Sequence, residues 1–504
     1  MNSRELLLVR VDAGLEIGLG HAMRCLALAQ GWKDSGGDVC FAMAETIPAL
    51  RDRLATEGIE ISSITDPPGS LGDTAQTVAL ARERDVDWVV LDGYRFDGSF
   101  QGVIKAAGVR LFMLDDYGQT DAYPADLVLN QNLYASIDRY PRRSPTTRLL
   151  LGTRYVLLQR NFRSRRPRAR NAPPLAERLL VTLGGVDPHN VTLKVLEALR
   201  HPAMKSSSVL VVIGSGNPHA GSLEPVARSL PCQVELLRDP ADMAALMEDS
   251  DLAISAGGTT AWELAYMGVP SLLFATADNQ REVAASLERA GAAKDLGWHA
   301  DVTVPSLAQT IQEVARSASQ RERMAQRGRG LVDGLGVPRV LTELKASMTT
   351  LRPVGENDAR LLWGWANDPT TRSVSFTTEP IPWEDHVKWL EGKMKDPNCF
   401  LYIALARGGT PLGQIRFDVE GSEAEVSVSL DARFRGRGYG SALVLAGSRK
   451  LFGDSRVRLL RAHVKEHNEP SVRAFLKAGY EPAGQTQVRG HDAMLLTLRK
   501  GESP

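Results

Sequence analysis

A histidine directly follows a glycine-rich turn in the segment GLGHAMR, at residues 18–24. The apolar run LLLVRV precedes this turn, and CLALAQGW, with apolar residues at helical spacing, follows it. This order predicts a strand, a glycine loop and a helix that begins near His21. A neutral imidazole can take a proton from water, and the positive end of a helix dipole disfavours the imidazolium. This placement therefore keeps the His21 imidazole available as a base near neutral pH.

A second glycine loop lies in the segment DLAISAGGTTAWELAYMGVPSLLF. A strand is expected to end at Ser255, and Gly257 and Gly258 permit a close approach to the backbone. The pattern predicts a helix over Thr259–Met267, whose first N–H groups face the loop and suit a phosphate. Glu263 falls on the first turns of this helix, where a carboxylate can accept both hydroxyls of a ribose. The alternative is a glycine pair that only lets the helix pack on a sheet.

A third glycine loop follows the strand pattern AEVSVSL and precedes the helical pattern SALVLAGSRKLF. It contains the spacing R-x-x-G-x-G, and consecutive backbone N–H groups at a helix start can hold a pyrophosphate. The predicted cofactor-binding residues of this loop are Arg435, Gly436, Arg437, Gly438 and Gly440.

Apolar strands alternate with helical stretches twice along the chain, from residue 4 to about 160 and again from about 178. Strands separated by helices indicate parallel sheets, so we predict an α/β fold with two doubly wound, Rossmann-like domains. Ligands in such sheets bind at the carboxyl ends of the strands. After residue 348 the pattern changes to an α+β domain. The predicted domains are 1–162, 175–346 and 349–500, with a break at residues 334–338 inside the last helical segment of the second.

Composition excludes several classes of protein. The 60 basic and 60 acidic side chains balance, which argues against nucleic-acid binding, and no apolar stretch has the length of a membrane span. The N-terminus lacks a signal-peptide pattern, so we expect a cytoplasmic protein. The four cysteines form no C-x-x-C pair, which predicts reduced packing residues rather than disulfides or a zinc site. The basic run at residues 160–174, rich in proline at its end, predicts a linker between domains.

The second glycine loop, with its helix glutamate and the following GVP, resembles the nucleotide-binding half of GT-B proteins such as the MurG-type glycosyltransferases. The opening segment VRVDAGLEIGLGHAMRCLALA resembles the UDP-2,4-diacetamido-2,4,6-trideoxy-β-L-altropyranose hydrolases of pseudaminic acid biosynthesis, in which D-x-S/G-x-x-I-G-x-G-H-x-x-R is the usual form. VLDGYRFD, MLDDYG, LVLNQNLY, TLGGVDP and ADNQ, spread over residues 1 to about 345, extend this resemblance.

The resemblance implies that water attacks the anomeric carbon with inversion and that UDP and the free sugar are released. It carries over Asp12, His21, Tyr94 and Asn279 as residues around the sugar, with His21 as the base, and places Gly20 at the ligand. Asp12 is expected to orient the base or to bind a sugar hydroxyl. In the alternative interpretation these residues have structural roles only: Asp12 caps the turn, Tyr94 is an aromatic residue of a loop, and Asn279 caps a helix.

The other polar residues near the motif around His21 do not predict a metal site. Arg24 is expected to support the loop or contact an anion. Asp115 and Asp116 end a strand, but no third carboxylate or histidine has matching spacing, so no metal is expected.

The third block resembles GNAT acyl-CoA N-acetyltransferases through its glycine loop and the segment LRAHVKEHNEPSVRAFLKAGYEPAG. The resemblance implies acetyl-CoA as co-substrate, pairing of the strand around Val428 with pantetheine, and cofactor contacts from Asn468 and Ser471. Phe475 stands where many relatives carry a tyrosine that protonates the leaving thiolate, so Tyr480 or water remain candidates for that role.

Further side chains of this block have open roles. His463 and His467 need not share a face, so no metal pair is expected. Trp383, His386 and Trp389 lie in a segment resembling sugar-nucleotide N-acetyltransferases, where they line an acceptor site or simply pack a helix.

The two resemblances together imply consecutive steps in one chain, in which 4-N-acetylation of a UDP-linked amino sugar is followed by its hydrolysis. No protein partner is implied. The alternatives are a UDP-sugar glycosyltransferase with an appended acetyltransferase, the equivalent enzyme of another nonulosonic acid pathway, and a non-catalytic sensor that binds both ligands.

Overall fold

The computed structural model describes residues 4–14, 17–165, 172–201, 205 and 207–501. The chain divides into two compact units, Met1–Val337 and Pro338–Pro504. The first unit contains two parallel sheets and the second contains one mixed sheet. Among the described residues, no helix has both the length and the apolar character needed to cross a membrane.

The strands of the first sheet are parallel and follow the order β3-β2-β1-β4-β5-β6-β7. Their bounds are β1 (Leu6–Val11), β2 (Asp38–Met43), β3 (Glu60–Ser63), β4 (Trp88–Asp92), β5 (Leu111–Leu114), β6 (Leu127–Asn130) and β7 (Arg148–Leu151). The accompanying helices are α1 (Gly20–Asp34), α2 (Pro48–Thr56), α3 (Leu71–Glu83), α4 (Gly98–Ala106) and α5 (Arg160–Arg163). The strand order reverses between β1 and β4, and this reversal opens a crevice at their carboxyl ends.

The second sheet repeats this plan in the order β10-β9-β8-β11-β12-β13, again with parallel strands. Its strands are β8 (Arg178–Thr182), β9 (Ser208–Ile213), β10 (Gln233–Arg238), β11 (Leu252–Ala256), β12 (Ser271–Ala275) and β13 (Lys294–Trp298). Its helices are α6 (Val191–Ala198), α7 (Ala220–Arg228), α8 (Met243–Glu248), α9 (Thr259–Met267), α10 (Asp278–Arg289), α11 (Val304–Arg316) and α12 (Ala318–Leu331). β8 and β11 flank its reversal, so both sheets offer a switch point for a ligand.

The central strands of both parallel sheets are apolar on both faces, as expected where helices cover each side. Residues of β1, β4 and β11 are almost wholly inaccessible to solvent. Separate buried clusters lie on the two faces of the second sheet and beneath the first. This packing leaves the loops at the carboxyl ends of the strands free to carry polar groups.

The second unit has the sheet order β14-β15-β16-β17-β18-β20-β19, in which β17 and β18 are parallel and the other neighbours antiparallel. Its strands are β14 (Thr350–Pro353), β15 (Cys399–Leu405), β16 (Pro411–Glu420), β17 (Glu423–Leu430), β18 (Leu459–Lys465), β19 (Glu481–Val488) and β20 (His491–Arg499). The helices are α13 (Gly336–Met348), which begins just before the unit boundary, α14 (Ala359–Ala366), α15 (Pro369–Val374), α16 (Trp383–Lys395), α17 (Tyr439–Asp454) and α18 (Glu469–Lys477).

These sheets confirm the predicted fold class of two Rossmann-like layers followed by an α+β domain. The predicted helix break lies slightly earlier than expected, because α12 ends at Leu331 and α13 already begins at Gly336. Pro338 therefore lies in the first turn of α13, where a proline costs no helical hydrogen bond. The predicted limits between the first two domains stay a prediction.

The basic run at residues 160–174 is described only in part, since residues 166–171 lie outside the described residues. Its first residues form α5. Arg160 and Arg163 pair with Asp34, and Arg165 pairs with Asp242. These described arginines are thus engaged by carboxylates of the same unit.

Candidate active sites

The histidine of the first glycine loop is held at the start of α1. The loop after β1 turns back through a backbone hydrogen bond of 2.8 Å from Gly18 to Gly14, and Gly18 adopts a φ of +76° that favours glycine. The helix then begins at Gly20, which places His21 in its first turn with a relative exposure of 8%. The imidazole therefore lies at the edge of the crevice beside β4.

A carboxylate that ends the neighbouring strand contacts this imidazole. Asp92 is the last residue of β4, and its Oδ1 lies 2.6 Å from Nδ1 of His21. Arg24, one turn further along α1, donates from Nε and Nη2 to the same carboxylate at 2.7 and 2.6 Å. Burial alone would raise the pKa of Asp92, but Arg24 and His21 lower it to about 2. The ionised carboxylate accepts a proton-bearing Nδ1, which leaves Nε2 of His21 as the basic nitrogen.

This contact changes the physical account of the base. The helix start disfavours the imidazolium, as predicted from the sequence, and the buried Asp92 carboxylate in addition selects the tautomer of His21. Asp92 was not among the residues predicted for the site. The available signal was its position at the end of a buried strand that pairs with β1 at the switch point.

The hydrogen-bond chain continues from Arg24 across the cleft. Arg24 Nη1 donates to Oδ1 of Asp116 at 2.5 Å, and the Tyr94 hydroxyl donates to Oδ2 of Asp116 at 2.8 Å. Asn279, at the start of α10 in the second half of the unit, donates from Nδ2 to the Tyr94 hydroxyl oxygen at 2.7 Å. The Tyr94 ring meets the His21 ring edge-on, with centroids 4.9 Å apart. His21, Tyr94 and Asn279, predicted together, therefore lie together.

Asp12 is the exception among the predicted catalytic residues. Its Oδ1 accepts backbone N–H groups of Ala44 and Glu45 at 2.8 and 3.1 Å and pairs with Arg10 at 2.8 Å. Arg10 also donates to the buried Asp73. The Asp12 carboxylate thus fixes the chain after β2 and makes no hydrogen bond to His21 in the described structure, while Asp12 also lines the cleft, so its contact with a sugar hydroxyl stays a prediction.

The second glycine loop faces the first across a cleft of about 1030 Å³. A methyl group placed on Gly20 would lie 3.7 Å from Thr259 Oγ1, so the two loops approach closely. α9 begins at Thr259, and Gly258, its N-cap, offers no side chain to the free N–H groups of the first turn. The adjacent strand β11 ends at Ala256, one residue later than predicted, and the Ser255 hydroxyl before it is buried. The positive end of α9 therefore lies on the cleft wall, where it would favour an anionic ligand.

Glu263 lies four residues into α9 on the wall of the same cleft. Burial raises the pKa of its carboxyl to about 7, and Arg53, on the opposite wall, lowers that pKa only in part. A carboxylate at this depth suits a ligand that donates two hydroxyl hydrogens, as a ribose does. The contact of Glu263 with a ribose stays a prediction.

The acidic residues after β5 are engaged by protein groups. The Asp115 carboxylate accepts the hydroxyls of Tyr123 and Tyr140, while Asp116 pairs with Arg24. Among the described residues, we find no group of three or more histidine, cysteine, aspartate or glutamate side chains that could hold a metal ion.

In the second unit, the strands at the predicted cofactor site diverge. β17 and β18 pair over residues 423–425 and 459–461 and then separate. Beyond that point the backbone of Val426 and Val428 loses its neighbour on the β18 side. An open strand edge of this kind can hydrogen-bond to an extended amide-containing chain such as pantetheine.

The third glycine loop lies beside this opening and leads into α17. Gly436 and Gly438 have φ values of +74° and +82°, which other residues rarely adopt. Lys345 of α13 lies against this turn, with its Nζ 4.7 Å from the Tyr439 ring. Sequence analysis missed this buried cation, because nothing in α13 marks it as adjacent to a loop about 90 residues later.

The remaining predicted residues of the loop divide into two groups. Arg435 donates to Asp368, Thr371 and the Leu430 carbonyl, so its side chain holds the loop in place rather than extending to a ligand. Arg437 and Gly440 stay predicted ligand contacts, since Gly440 lies in the first turn of α17.

Asn468 and Ser471 lie together at the start of α18. The Asn468 side chain is the N-cap and accepts the Ser471 N–H at 3.3 Å. A capping role accounts for this contact, and a cofactor contact by either residue stays a prediction.

Phe475 and Tyr480, the side-chain candidate for protonating a thiolate, are both buried. Phe475 and Tyr480 pack edge-on in the core, each with a relative exposure of 2%. The Tyr480 hydroxyl lies 2.9 Å from Ser448 Oγ, and burial raises the pKa of this phenol. Tyr480 is therefore a packing residue in this structure.

The aromatic residues of α16 form a partly exposed cluster. Trp383 and Trp389 lie on either side of the buried His386, whose Nε2 has no hydrogen-bond partner among the described residues. His463 lies 3.6 Å from Glu425, at the point where β17 and β18 separate, and His467 is exposed in the following turn.

Comparison with known proteins identifies two domains. Residues 179–333 match the glycosyltransferase family 28 C-terminal domain, and residues 349–481 match the acetyltransferase (GNAT) domain. The spore coat polysaccharide biosynthesis protein SpsG of Bacillus subtilis (strain 168) is 28% identical over 342 residues, which is 66% of this chain and 96% of SpsG.

Two further relatives match single parts of the chain. The putative phosphinothricin acetyltransferase YwnH of Bacillus subtilis (strain 168) is 32% identical over 120 residues, covering 23% of this chain and 72% of YwnH. A UDP-N-acetylglucosamine–N-acetylmuramyl-(pentapeptide) pyrophosphoryl-undecaprenol N-acetylglucosamine transferase of Anaeromyxobacter sp. (strain K) is 33% identical over 184 residues, covering 36% of this chain and 46% of the transferase.

Proposed function

We propose that this chain carries two activities. It belongs to the GNAT acetyltransferase family through its C-terminal unit, and it is homologous to SpsG over its N-terminal part. The first is hydrolysis of a UDP-linked sugar by residues 1–346, and the second is N-acetylation of a UDP-linked amino sugar by residues 349–500. The match to a glycosyltransferase family 28 domain supports a nucleotide sugar as the ligand of the cleft.

The observation that carries the hydrolysis is the placement of His21 opposite the start of α9 in one cleft. Nε2 of His21 takes a proton from water while Asp92 stabilises the developing imidazolium through Nδ1. The water oxygen bonds to the anomeric carbon as the bond from that carbon to the diphosphate oxygen breaks, and UDP leaves with the electron pair. The N–H groups at residues 257–259 hold its negative charge, so a separate strong acid is unnecessary.

Attack from the side opposite the leaving group inverts the anomeric carbon. We assign the substrate as UDP-2,4-diacetamido-2,4,6-trideoxy-β-L-altropyranose, an intermediate of pseudaminic acid biosynthesis, on the resemblance of the N-terminal motifs. The homologous step of another nonulosonic acid pathway uses the same chemistry. Glycosyl transfer to an acceptor other than water is the second candidate, and the family 28 match favours it.

The observation that carries the acetyl transfer is the open edge of β17 beside the glycine loop that starts α17. Backbone N–H groups at Gly436 and Gly438 and the nearby Lys345 suit a diphosphate, so acetyl-CoA fits as the acetyl donor. The substrate amine attacks the thioester carbonyl, the carbon–sulfur bond breaks, and the thiolate takes a proton. Because Tyr480 is engaged by Ser448, we assign that protonation to water.

The test is a coupled assay on the full chain. UDP-4-amino-4,6-dideoxy-N-acetyl-β-L-altrosamine is supplied with and without acetyl-CoA, and products are followed by mass spectrometry. We expect UDP and free diacetamido sugar only with acetyl-CoA, and His21→Ala should accumulate the acetylated UDP-sugar. Acetylation without UDP release in the wild type would contradict the hydrolase or its sugar, and label transfer to an acceptor would identify a glycosyltransferase.

A further inference from the structure

The hydrogen-bond chain between the two halves of the N-terminal unit has a fixed direction. Asp92 is ionised, so His21 Nδ1 donates to it, and Arg24 can only donate. Asp116 accepts from Arg24 and from the Tyr94 hydroxyl. The Tyr94 oxygen, having donated its single hydrogen, can only accept at its other side. A donor is therefore required at residue 279, and the Asn279 amide supplies it at 2.7 Å.

The Tyr94 ring depends on these bonds for its position. It is 42% exposed, so burial does little to hold it. Its hydroxyl is held instead by Asp116 on one side and Asn279 on the other, while its ring contacts the His21 ring edge-on. Loss of either hydroxyl contact would free the ring and remove a wall against which the imidazole packs.

The helix that carries Asn279 is anchored to the first half at a second point. Glu282, one turn along α10, pairs with Arg139 Nη2 at 2.6 Å. This ion pair contacts neither Tyr94 nor Asp116 in the described structure, so it serves docking of α10 without belonging to the hydrogen-bond chain. The two functions can therefore be separated by mutation.

We propose that Asn279, Tyr94 and Asp116 are positioning residues, which hold Arg24 and through it Asp92 so that His21 presents a free Nε2. The base is then fully aligned only when α10 of the second half lies against the first. This inference rests on the proposed hydrolysis. It differs from the expectation that Tyr94 and Asn279 act by binding the sugar, because a positioning residue alters kcat and a binding residue alters KM.

The first test compares Tyr94→Phe and Asn279→Asp with wild type in UDP release. Phenylalanine keeps the ring contact and deletes the hydroxyl, and aspartate places an acceptor where a donor is required. We expect kcat to fall about tenfold or more with KM within about twofold, as misalignment of a base lowers the rate without weakening binding. A raised KM with unchanged kcat would overturn the proposal in favour of sugar binding.

Matched controls separate alignment from docking. Glu282→Gln removes the second anchor of α10, and Tyr117→Phe deletes a hydroxyl from the ring next to Tyr94, whose centroid lies 5.8 Å away. Both should keep kcat within about twofold of wild type, since the group that each removes makes no hydrogen bond to a member of the chain in the described structure. Equal losses in Glu282→Gln and Asn279→Asp would show that docking alone matters and would refute the proposal.

Nuclear magnetic resonance of the imidazole gives a readout that needs no substrate. The downfield Nδ1–H signal of His21, assigned by its loss in His21→Ala, should shift or broaden in Tyr94→Phe and Asn279→Asp but not in the controls. If the wild type releases no UDP from any nucleotide sugar, the proposed function fails while this signal still decides the positioning. An unchanged signal in both variants would refute the inference.

Discussion

Replacing Asp92 by asparagine removes the charge that aligns the proposed base. Asp92 accepts three hydrogen bonds of 2.6–2.7 Å, one from His21 and two from Arg24. An amide can satisfy only part of this set, because its NH2 must face another donor in either orientation. If it faces Nδ1 of His21, the imidazole moves its proton to Nε2 and can no longer accept one from water.

The expected loss follows from the role of the base. General-base catalysis is worth about 10²–10⁴-fold, so kcat for UDP release should fall by that factor, about 3–5 kcal/mol in activation free energy. KM should stay within about twofold, because Asp92 lies behind the imidazole rather than at the ligand. Arg24 keeps its contact to Asp116, so the loss of folding stability should stay near 2 kcal/mol, below the full cost of an unpaired buried charge.

The assay measures UDP release under steady-state conditions together with a thermal melt. Asp87→Asn is the matched control, since Asp87 is a buried aspartate at the opposite end of β4 that accepts the Leu6 N–H at 2.9 Å. This control should lose stability and keep kcat. An Asp92→Asn variant that melts like a folded protein and retains kcat within about threefold of wild type would refute the assigned tautomer.

Three further predictions concern Glu263, Gly438 and Tyr480. Burial raises the pKa of Glu263 to about 7, so the carboxyl group ionises as the pH rises from 6 to 8 and UDP should then bind more tightly. In calorimetric titrations, Glu263→Gln should remove this dependence of UDP affinity on pH. If wild type and variant show the same change of affinity with pH, Glu263 is excluded from the UDP site. Gly438→Ala should raise the KM for acetyl-CoA, because φ +82° strains the new side chain at the loop. Gly421→Ala, at φ +62° in the hairpin that enters the opposite end of β17, should cost only stability, and equal KM effects would contradict this placement. Tyr480→Phe should retain acetyl transfer and should lower the free energy of unfolding by about 1 kcal/mol, because the hydrogen bond to Ser448 is lost. A fall in kcat of about 100-fold or more would instead identify Tyr480 as the acid that protonates the thiolate.

Local pattern was sufficient for elements whose structure depends on neighbours in sequence. The predicted helix Thr259–Met267 matches α9, because two glycines precede it and Gly268 ends it in a left-handed conformation at φ +65°. The strand, glycine loop and helix around His21 were predictable for the same reason. The fold class followed from the repeated alternation of strands and helices.

Contacts between distant segments were not predictable in this way. Asp92 is 71 residues from His21 and becomes its neighbour only because β4 pairs with β1, a sheet order that local pattern does not determine. Asp12 was assigned to the base or the sugar through the resemblance of the N-terminal motif, yet its carboxylate turns toward the chain after β2. In both cases the direction of a side chain at a strand end decided the role.

The attachment of Asn279 to α10 has a consequence for protein engineering. The half of the unit that carries the nucleotide loop also carries the amide that meets Tyr94, so exchanging this half to alter nucleotide preference would exchange the amide as well. A chimera that imports a foreign second half should therefore keep residues 278–282 of this chain. Recombination points placed after α10 would preserve the junction, whereas points placed between α9 and α10 would break it.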